Sequence, residues 1–361
     1  RKTEWADWNY LTSYGQSLSV GWTAKPVVTE KQEEGGLYMF RGGVRAYENG
    51  SDRKMLVPLE EGVNGPRGET PVSGAACRLF RLMQRYSPVT ASPIRLICSA
   101  TGVGGASLGS LGRGTGAYNR ILDDLKAAKI LADREGKTLS MPAFIWTQGE
   151  TDHQDRKFNP TDYPAIALEQ LDMALEKDSR YVMTTPMYHF EYSDGVHLTA
   201  PMSRLYGEYV GYVMKKVLLD GADWKPVHPL NHKIRKSGKG WTVEVAFYAP
   251  CPPLVLDTKT VDDPGNYGFS LVGAEGEDIA IKSVRLVGKN AVQLLTEKDP
   301  GKGRLRYGMT INEHRPSGPR TGARGCLRDS QGDEVKAHIQ GKDYRMDNWC
   351  PFFDYSLSKG H

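Results

Sequence analysis

Apolar residues along positions 1–224 alternate between short unbroken runs and longer runs with helical spacing. The short runs are bounded by polar residues or glycine, and they predict buried strands at DWNYLTSYG, PIRLICSAT, PAFIWTQ and YVMTTP. The longer runs predict helices that open at Thr70-Pro71, near Tyr118, within TDYPAIALEQLDMALEK and within MSRLYGEYVGYVMKKVLL. Strands that alternate with helices are typical of the α/β class, in which a parallel sheet is covered by helices.

The pattern changes after residue 224, where short strand-like runs replace the helical spacing. Residues 241–310 hold several such runs, separated by clusters of turn-forming residues. This spacing predicts a small antiparallel β-sandwich, whereas HKIRKSGKG near residue 235 is interpreted as a solvated turn. The tail from about residue 311 ends in the apolar NWCPFF, which we expect to dock back onto the fold. The sequence therefore predicts two domains, residues 1–224 and 225–361.

Composition and charge are those of an ordinary globular protein, and they exclude several classes of function. The 361 residues include 47 basic and 43 acidic side chains, and a net charge of +4 is too small to indicate nucleic-acid binding. No apolar stretch is long enough to span a membrane, and the charged opening RKTEWADWNY lacks the apolar core of a signal peptide. The five cysteines form no Cys-x-x-Cys pair, which indicates neither a disulfide framework nor zinc, and leaves a Cys326–Cys350 bridge open.

Residues that can carry chemistry lie where predicted strands end, which is the edge of the sheet at which α/β proteins bind ligands. Four segments stand out: TSYGQSLSVG, TGVGGASLG, WTQGETD and SDGVHLT. In the last of these, Asp194 and His197 are three residues apart. At that spacing the carboxylate can hold one ring nitrogen protonated and leave the other as a base. A helix cap, in which Asp194 or Ser193 accepts backbone N–H groups, explains the same spacing.

The glycine-rich and acidic segments do not match other familiar kinds of site. Ser107 stands where the third glycine of a dinucleotide-binding fingerprint would lie, and no P-loop sequence occurs. The carboxylates of QGETD have no histidines at metal-ligand spacing, so we expect neither a metal nor a cofactor. GASLG, residues 105–109, matches a nucleophile elbow centred on Ser107. The glycine-rich segment that follows it is poor material for the helix that an elbow requires.

The order of the four segments resembles the four blocks of the SGNH-type hydrolases. The matching residues are Gly-Gln-Ser, then Gly-Gly-x-Ser, then Trp-x-Gln-Gly-Glu-x-Asp, and then Asp-Gly-x-His-Leu-Thr. The set is most similar to carbohydrate O-acetylesterases of the sialate O-acetylesterase type, in which Gln replaces the usual Asn of the third block. It is also similar to deacetylase modules of phage tail spikes and fibres. The resemblance covers about residues 8–220, and it implies a three-layer, flavodoxin-like fold there.

The resemblance also implies a role for each site residue. Ser17 would be the nucleophile, His197 its base and Asp194 the acid that orients the base. The oxyanion would be stabilised by the backbone N–H of Ser17, a backbone N–H of Gly104 or Gly105, and the side-chain amide of Gln148. Supporting contacts would come from residues beside these blocks: Gln16, Glu150 and Asp152, with Ser19 as a structural neighbour.

The implied function is a serine esterase that removes O-acetyl groups from a carbohydrate, either sialic acid or a bacterial surface polysaccharide, without a cofactor. Its partner would be an O-acetylated glycan, its location extracellular or on a virion tail, and assembly into a homo-oligomer or a virion is left open. Residues 225–361 would form a β-rich accessory domain for carbohydrate binding. The alternative is a carbohydrate-binding or structural tail-fibre module without esterase activity. Between Asp152 and Asp194 the sequence predicts one clear helix, where the family pattern usually has a further strand and helix.

Overall fold

The computed structural model describes residues 5–33, 35–48, 52–86, 94–154, 164–309 and 316–358. The chain divides into two compact units. The first comprises Arg1–Asp155, Tyr192–Asp223 and His338–Lys342. The second comprises Arg156–Glu191, Trp224–Ala337 and Asp343–His361. The segment Arg156–Glu191 therefore groups with residues beyond 224. The domain boundary that the sequence predicts at residue 224 remains a prediction.

The first unit contains a mostly parallel sheet around one completely buried strand. Its described strands are β1 (Trp8–Gly15), β2 (Leu37–Phe40), β3 (Leu56–Pro58), β4 (Arg95–Ala100), β5 (Leu139–Ser140) and β6 (Phe144–Thr147). The order is β3-β2-β4-β1-β5, and β6 also pairs with β1 beyond β5. Only β3 runs antiparallel to its neighbour. Because β1 has a parallel neighbour on each side, its carboxyl end at Gly15 lies beside the ends of β4 and β6.

Helices flank this sheet, and close glycine contacts bring two of them together. The described helices are α1 (Pro71–Tyr86), α2 (Leu108–Leu111), α3 (Gly116–Arg134), α4 (Glu150–Gln154), α5 (Ala165–Leu175) and α6 (Ala200–Met214). Helix α3 packs its Ile121, Ala128 and Ala132 against aromatic residues of β1. A Cβ on Gly207 of α6 would lie 2.3 Å from the carbonyl oxygen of Pro71, so only glycine permits this approach to α1. The segment α5 belongs to the second unit.

The second unit is built mainly from two four-stranded antiparallel sheets that share one core. One sheet has the order β12-β13-β8-β7, and the other β11-β10-β14-β18. Their inward side chains, including Val245, Phe247, Phe269, Leu305 and Phe353, form one buried cluster. The described strands beyond residue 224, of which β16 and β17 lie partly in the His338–Lys342 segment of the first unit, are β7 (His228–Ser237), β8 (Gly240–Tyr248), β9 (Val255–Leu256), β10 (Phe269–Val272), β11 (Asp278–Ile279), β12 (Ile281–Val287), β13 (Ala291–Thr296), β14 (Arg304–Tyr307), β15 (Leu327–Arg328), β16 (Lys336–Ile339), β17 (Lys342–Arg345) and β18 (Phe353–Ser356).

Three details of the sequence interpretation need correction. The supposed solvated turn HKIRKSGKG is mostly strand β7, and only residues 238–239 form its turn. Charged side chains fit there because one face of an antiparallel strand can meet water. YVMTTP, residues 181–186, is not a strand. Cys326 and Cys350 are buried free thiols rather than a disulfide.

One other sequence expectation is confirmed. The apolar tail docks as expected, since Trp349 and Cys350 are buried and β18 pairs with β14. No helix in the described part of the chain is long and apolar enough to cross a membrane.

Candidate active site

The carboxyl end of β1 forces a sharp change of direction at Gly15. This residue has φ +139°, and a Cβ there would lie 1.9 Å from the carbonyl oxygen of Thr147 in the neighbouring strand. Gln16 then donates its backbone N–H to the same carbonyl at 2.9 Å. A single 3₁₀ turn, Ser17–Val20, starts immediately afterwards and ends at Gly21, which has φ +71°. Ser17 is thus the first residue of a turn fixed against the sheet.

A chain of hydrogen bonds joins Ser17, His197 and Asp194. The Oγ atom of Ser17 lies 2.8 Å from Nε2 of His197. On the other side of the ring, Nδ1 lies 2.8 Å from Oδ2 of Asp194. Ser17 is 7% exposed, and the His197 side chain is 15% exposed. Ser17 and His197, which the sequence separates by 180 positions, are therefore in direct contact. The three groups follow in the order hydroxyl, imidazole and carboxylate.

Asp194 contacts both the imidazole of His197 and backbone N–H groups of its own loop. Its Oδ1 atom accepts the backbone N–H groups of Val196 and His197, at 3.0 and 2.8 Å, while Oδ2 meets the imidazole. Helix α6 begins only at Ala200, with Thr199 at its N-cap, so Asp194 closes a turn before the helix rather than capping it. Desolvation acts to raise the pKa of Asp194, but the hydrogen bonds from His197 and Val196 outweigh it and lower that pKa. The carboxylate is therefore ionised at neutral pH.

A tether connects the Ser17 turn to the His197 loop. The hydroxyl oxygens of Thr23 and Ser193 are 2.6 Å apart. Ser193 is fixed within its own loop, because its N–H and its Oγ both donate hydrogen bonds to the His197 carbonyl oxygen. Thr23 has φ +56°, a conformation that is strained for a β-branched residue. The tether accordingly fixes the segment after Ser17 to the segment that carries His197.

The glycine-rich segment continues beside the end of β1. Val103 donates its N–H to the Gly15 carbonyl at 2.9 Å, and Ala106 closes a turn on the Val103 carbonyl at 3.2 Å. Gly104 and Gly105 are the central residues of this turn, and Gly105 has φ +68°. Within the described ranges, no acceptor is found for the backbone N–H groups of Gly104, Gly105 or Ser17. Such N–H groups at the start of a turn are the kind of donor that an oxyanion requires.

Polar side chains behind this turn hold the third segment in place. Asp152 accepts hydrogen bonds from the Gln148 side-chain amide and from the backbone N–H of Leu108, the latter at 2.9 Å. Gln16 accepts the N–H groups of Gly149 and Thr151 through its Oε1 atom, at 3.4 and 3.3 Å. Asp152 thus orients the Gln148 carboxamide, whose nitrogen carries two N–H groups, and ties it to the start of α2.

Glu150, a neighbour of Asp152, has a pKa that is affected most by burial. Its Oε2 atom is sealed from water and has no hydrogen-bond partner among the described residues. Burial raises the pKa of Glu150, and its own backbone N–H and the charge of His197 act in the opposite direction. Glu150 therefore adds a carboxyl group close enough to His197 to interact electrostatically, without a direct hydrogen bond to it.

The remaining serines of the two glycine-rich segments lie in structural positions. Ser19 is fully buried and donates its hydroxyl to the Gln16 carbonyl at 2.6 Å. The segment after Ser107 was expected not to form a helix, but Ser107 is the N-cap of the four-residue helix α2, where its side chain accepts the N–H of Ser110. Within the described chain Ser107 has no hydrogen bond to an imidazole, which a nucleophile elbow would need.

Sequence reasoning missed two residues that border the site, Trp22 and Thr23. The indole of Trp22 lies 6.2 Å from the His197 ring between centroids. A Cβ on Gly104 would lie 3.7 Å from the same indole. Their only sequence signal is position, since both follow the Ser17 turn directly; their partners Ser193 and His197 are too distant in the chain for any local pattern to indicate.

No group of metal-binding side chains is found in the part of the chain that the structure describes.

No protein-family model matches the chain, and no curated protein sequence matches it. Among solved structures, the chain is similar to a carbohydrate acetylesterase from Xanthomonas citri, with 13% identity and a TM-score of 0.45 over 94% of this chain and 81% of that one. It is also similar to a protein from Arabidopsis thaliana, with 14% identity and a TM-score of 0.39 over 58% of this chain and 97% of that one.

Proposed function

We propose that this protein is a serine esterase of the SGNH type that hydrolyses O-acetyl groups on a carbohydrate. The observation that carries the proposal is the unbroken chain from the Ser17 hydroxyl through the His197 imidazole to the Asp194 carboxylate, with 2.8 Å at each step. A serine becomes a nucleophile when an adjacent base takes its proton and a third group orients that base. The order of the four sequence blocks independently supports the same assignment.

Acylation follows from this geometry. Nε2 of His197 takes the proton of Ser17 as Oγ attacks the acetyl carbonyl carbon, and the carbonyl oxygen becomes an oxyanion. Asp194 stabilises the imidazolium and keeps the ring proton on Nδ1. The donors assigned to the oxyanion are the N–H groups of Ser17 and of the Gly104–Gly105 turn, together with the Gln148 amide. Preorganised neutral donors of this kind act without reorganisation at the moment when charge develops.

The same groups complete acylation and then carry out deacylation. The tetrahedral intermediate collapses by breaking the bond to the sugar oxygen, and the imidazolium gives its proton to that oxygen, which leaves as a sugar hydroxyl. A water molecule then gives a proton to His197 and attacks the acetyl-Ser17 carbonyl. The second intermediate collapses to acetic acid, which ionises to acetate in solution, while His197 returns its proton to Oγ of Ser17. One ester bond and one water molecule are consumed in each turnover, and the protein is regenerated.

The substrate assignment comes from the block resemblance. A Gln at position 148 in place of the usual Asn is the feature shared with carbohydrate O-acetylesterases of the sialate O-acetylesterase type, including deacetylase modules of phage tail spikes. An O-acetylated sialic acid or bacterial surface polysaccharide is therefore the proposed substrate class, and residues 225–361 are the proposed accessory carbohydrate-binding part.

Release of p-nitrophenol from p-nitrophenyl acetate by the purified protein tests the proposal. Ser17→Ala should abolish turnover, and Ser107→Ala serves as the matched control because it alters a serine in the neighbouring glycine-rich segment. A fluorophosphonate probe should label the peptide that contains Ser17. Labelling of Ser107 instead would identify Ser107 as the nucleophile, within a nucleophile elbow. A protein that neither hydrolyses the ester nor reacts with the probe would instead be the binding or structural module.

A further inference from the structure

The indole of Trp22 occupies a distinctive place beside the proposed catalytic groups. It contacts the position of Gly104 on one side and faces His197 on the other, with a centroid separation of 6.2 Å and a tilt of 41° between the two rings. It is half-buried, so part of its surface meets solvent. The ring therefore borders the space between the base and the turn assigned to the oxyanion.

Trp22 is held firmly in this place. Its backbone N–H donates to the Ser17 carbonyl at 3.1 Å. The guanidinium of Arg67 covers the ring at 5.2 Å from the centroid, and Arg67 is itself fixed by an ion pair with Glu48 at 2.6 Å. Because Glu48 neutralises the charge of Arg67, the open surface of the ring offers an apolar aromatic contact rather than a cationic one.

The chemistry of the leaving group decides what this surface would meet. His197 must come within hydrogen-bond distance of the ester oxygen that leaves, since it protonates that oxygen. The carbon skeleton attached to the oxygen must then lie within a few ångströms of the imidazole, on the solvent side, where a polymer can extend. The indole of Trp22 lies 6.2 Å from the imidazole between ring centroids and is partly exposed, and Val196, which is 37% exposed, lies next to His197 in the chain.

We infer that Trp22 is a specificity-determining residue that packs against the pyranose ring whose acetyl ester is cleaved. The inference rests on the proposed esterase function. A pyranose presents C–H groups with partial positive charge on its apolar face, and these fit the electron-rich face of an indole. The preorganisation of Trp22 by Arg67 and Glu48 reduces the entropy lost when a sugar binds.

The test compares sugar acetates with an ester that has no ring. Wild type, Trp22→Ala and Trp22→Phe are assayed in a pH-stat with glucose pentaacetate, xylose tetraacetate and methyl acetate. Phe144→Ala is the matched control. Phe144 is an aromatic residue with 52% exposure, and it lies at the end of β6 that is away from Thr147 and the site. Trp22→Ala should lower the ratio of kcat/KM for sugar acetates over methyl acetate by about tenfold, mainly through KM. Trp22→Phe should restore part of the ratio, and Phe144→Ala should leave it unchanged.

Several outcomes would overturn the inference. An equal fall for all three substrates would show that Trp22 only supports His197, and an unchanged ratio would remove it from the sugar contact. Failure of the wild type to prefer either sugar acetate would also refute the sugar contact. A wild type inactive on every ester would contradict the proposed function instead. Binding of glucose pentaacetate to Ser17→Ala, with and without Trp22→Ala, then decides the inference, which requires about tenfold weaker binding without the indole.

Discussion

Replacement of Asp194 by Asn tests the proposed mechanism at its most specific point. The change is nearly isosteric, and the remaining Oδ1 atom can still accept the N–H groups of Val196 and His197, at 3.0 and 2.8 Å. The local turn should therefore persist. What changes is the partner of Nδ1, because an amide N–H replaces the carboxylate oxygen that lies 2.8 Å away.

The expected loss of rate follows from the ring tautomer. An amide N–H facing Nδ1 favours the imidazole with its proton on Nε2, and that nitrogen then cannot accept the proton of Ser17. A fully buried triad loses about ten-thousand-fold in kcat from this change. The Asp194 side chain is 44% exposed, so water can replace part of the carboxylate's hydrogen bonding to the ring. We therefore expect kcat to fall by about a hundred- to ten-thousand-fold.

The assay measures kcat and KM for p-nitrophenyl acetate alongside the thermal melting temperature. The melting temperature should change little, since a half-exposed charge is removed while the turn is kept. Asp7→Asn is the control, because Asp7 also accepts a backbone N–H and a hydroxyl, from Thr138, but lies before the other end of β1. If Asp194→Asn retains kcat within threefold of wild type, another acid orients His197 and the reasoning is refuted.

Three further predictions concern the surroundings of the site. Gln148→Ala should lower kcat for p-nitrophenyl acetate by about a hundred- to a thousand-fold with little change in KM, and an unchanged kcat would exclude Gln148 as an oxyanion donor. Thr23→Val should lower kcat/KM about fivefold by removing the hydroxyl that meets Ser193, whereas Thr23→Ser should retain it; equal rates would make the tether irrelevant. Burial and the nearby Glu61 raise the pKa of Glu69 to about 7, so its contribution to stability is complete at low pH and is lost as pH rises towards 7. Urea unfolding should show a loss that is steeper in wild type than in Glu69→Gln, by up to about 1.4 kcal/mol per pH unit, and parallel pH profiles would disprove it.

The elements that the sequence predicted correctly are those with long, regular patterns. Helices α1, α3 and α6 and strands β1, β4 and β8 contain enough apolar residues in register for periodicity to reveal them. Strands β2 and β3, with four and three residues, were missed, although β6, which also has four residues, was predicted. Strand β7 was interpreted as a turn because it is rich in charged residues. It forms a strand because it pairs with β8, and this pairing cannot be inferred from the local sequence.

The candidate site divides in the same way. Residues of the four blocks could be found because each block is a local signal, and a parallel sheet gathers the ends of its strands at one edge. The structure places Ser17, His197 and Asp194 in contact, while their catalytic roles remain predictions. Trp22 and Thr23 could not be found, because their importance comes from partners about 170 residues away.

The segment that precedes Tyr192 determines where the chain can be truncated so that the remaining fragment still folds. Leu171 of α5 is 4% exposed and lies in the core formed by the two antiparallel sheets, and Leu175 and Met183 pack against the same core. Lys225 also donates to the Ala174 carbonyl at 2.6 Å. Removing residues 228–361 would leave these apolar side chains without cover, and each buried leucine is worth about 1.5–3 kcal/mol.

A fragment of residues 1–227 should therefore aggregate, although it contains every proposed catalytic residue. The same fragment with Leu171→Glu and Leu175→Glu should be more soluble, because its exposed surface becomes charged. Size-exclusion chromatography and hydrolysis of p-nitrophenyl acetate distinguish the two fragments. Should the unmodified fragment be monomeric and melt cooperatively, α5 needs no partner sheets, and the boundary near residue 224 would be a true domain boundary. Aggregation relieved by the two glutamates would instead show that the segment from 164 to 191 depends on the sheets that follow it.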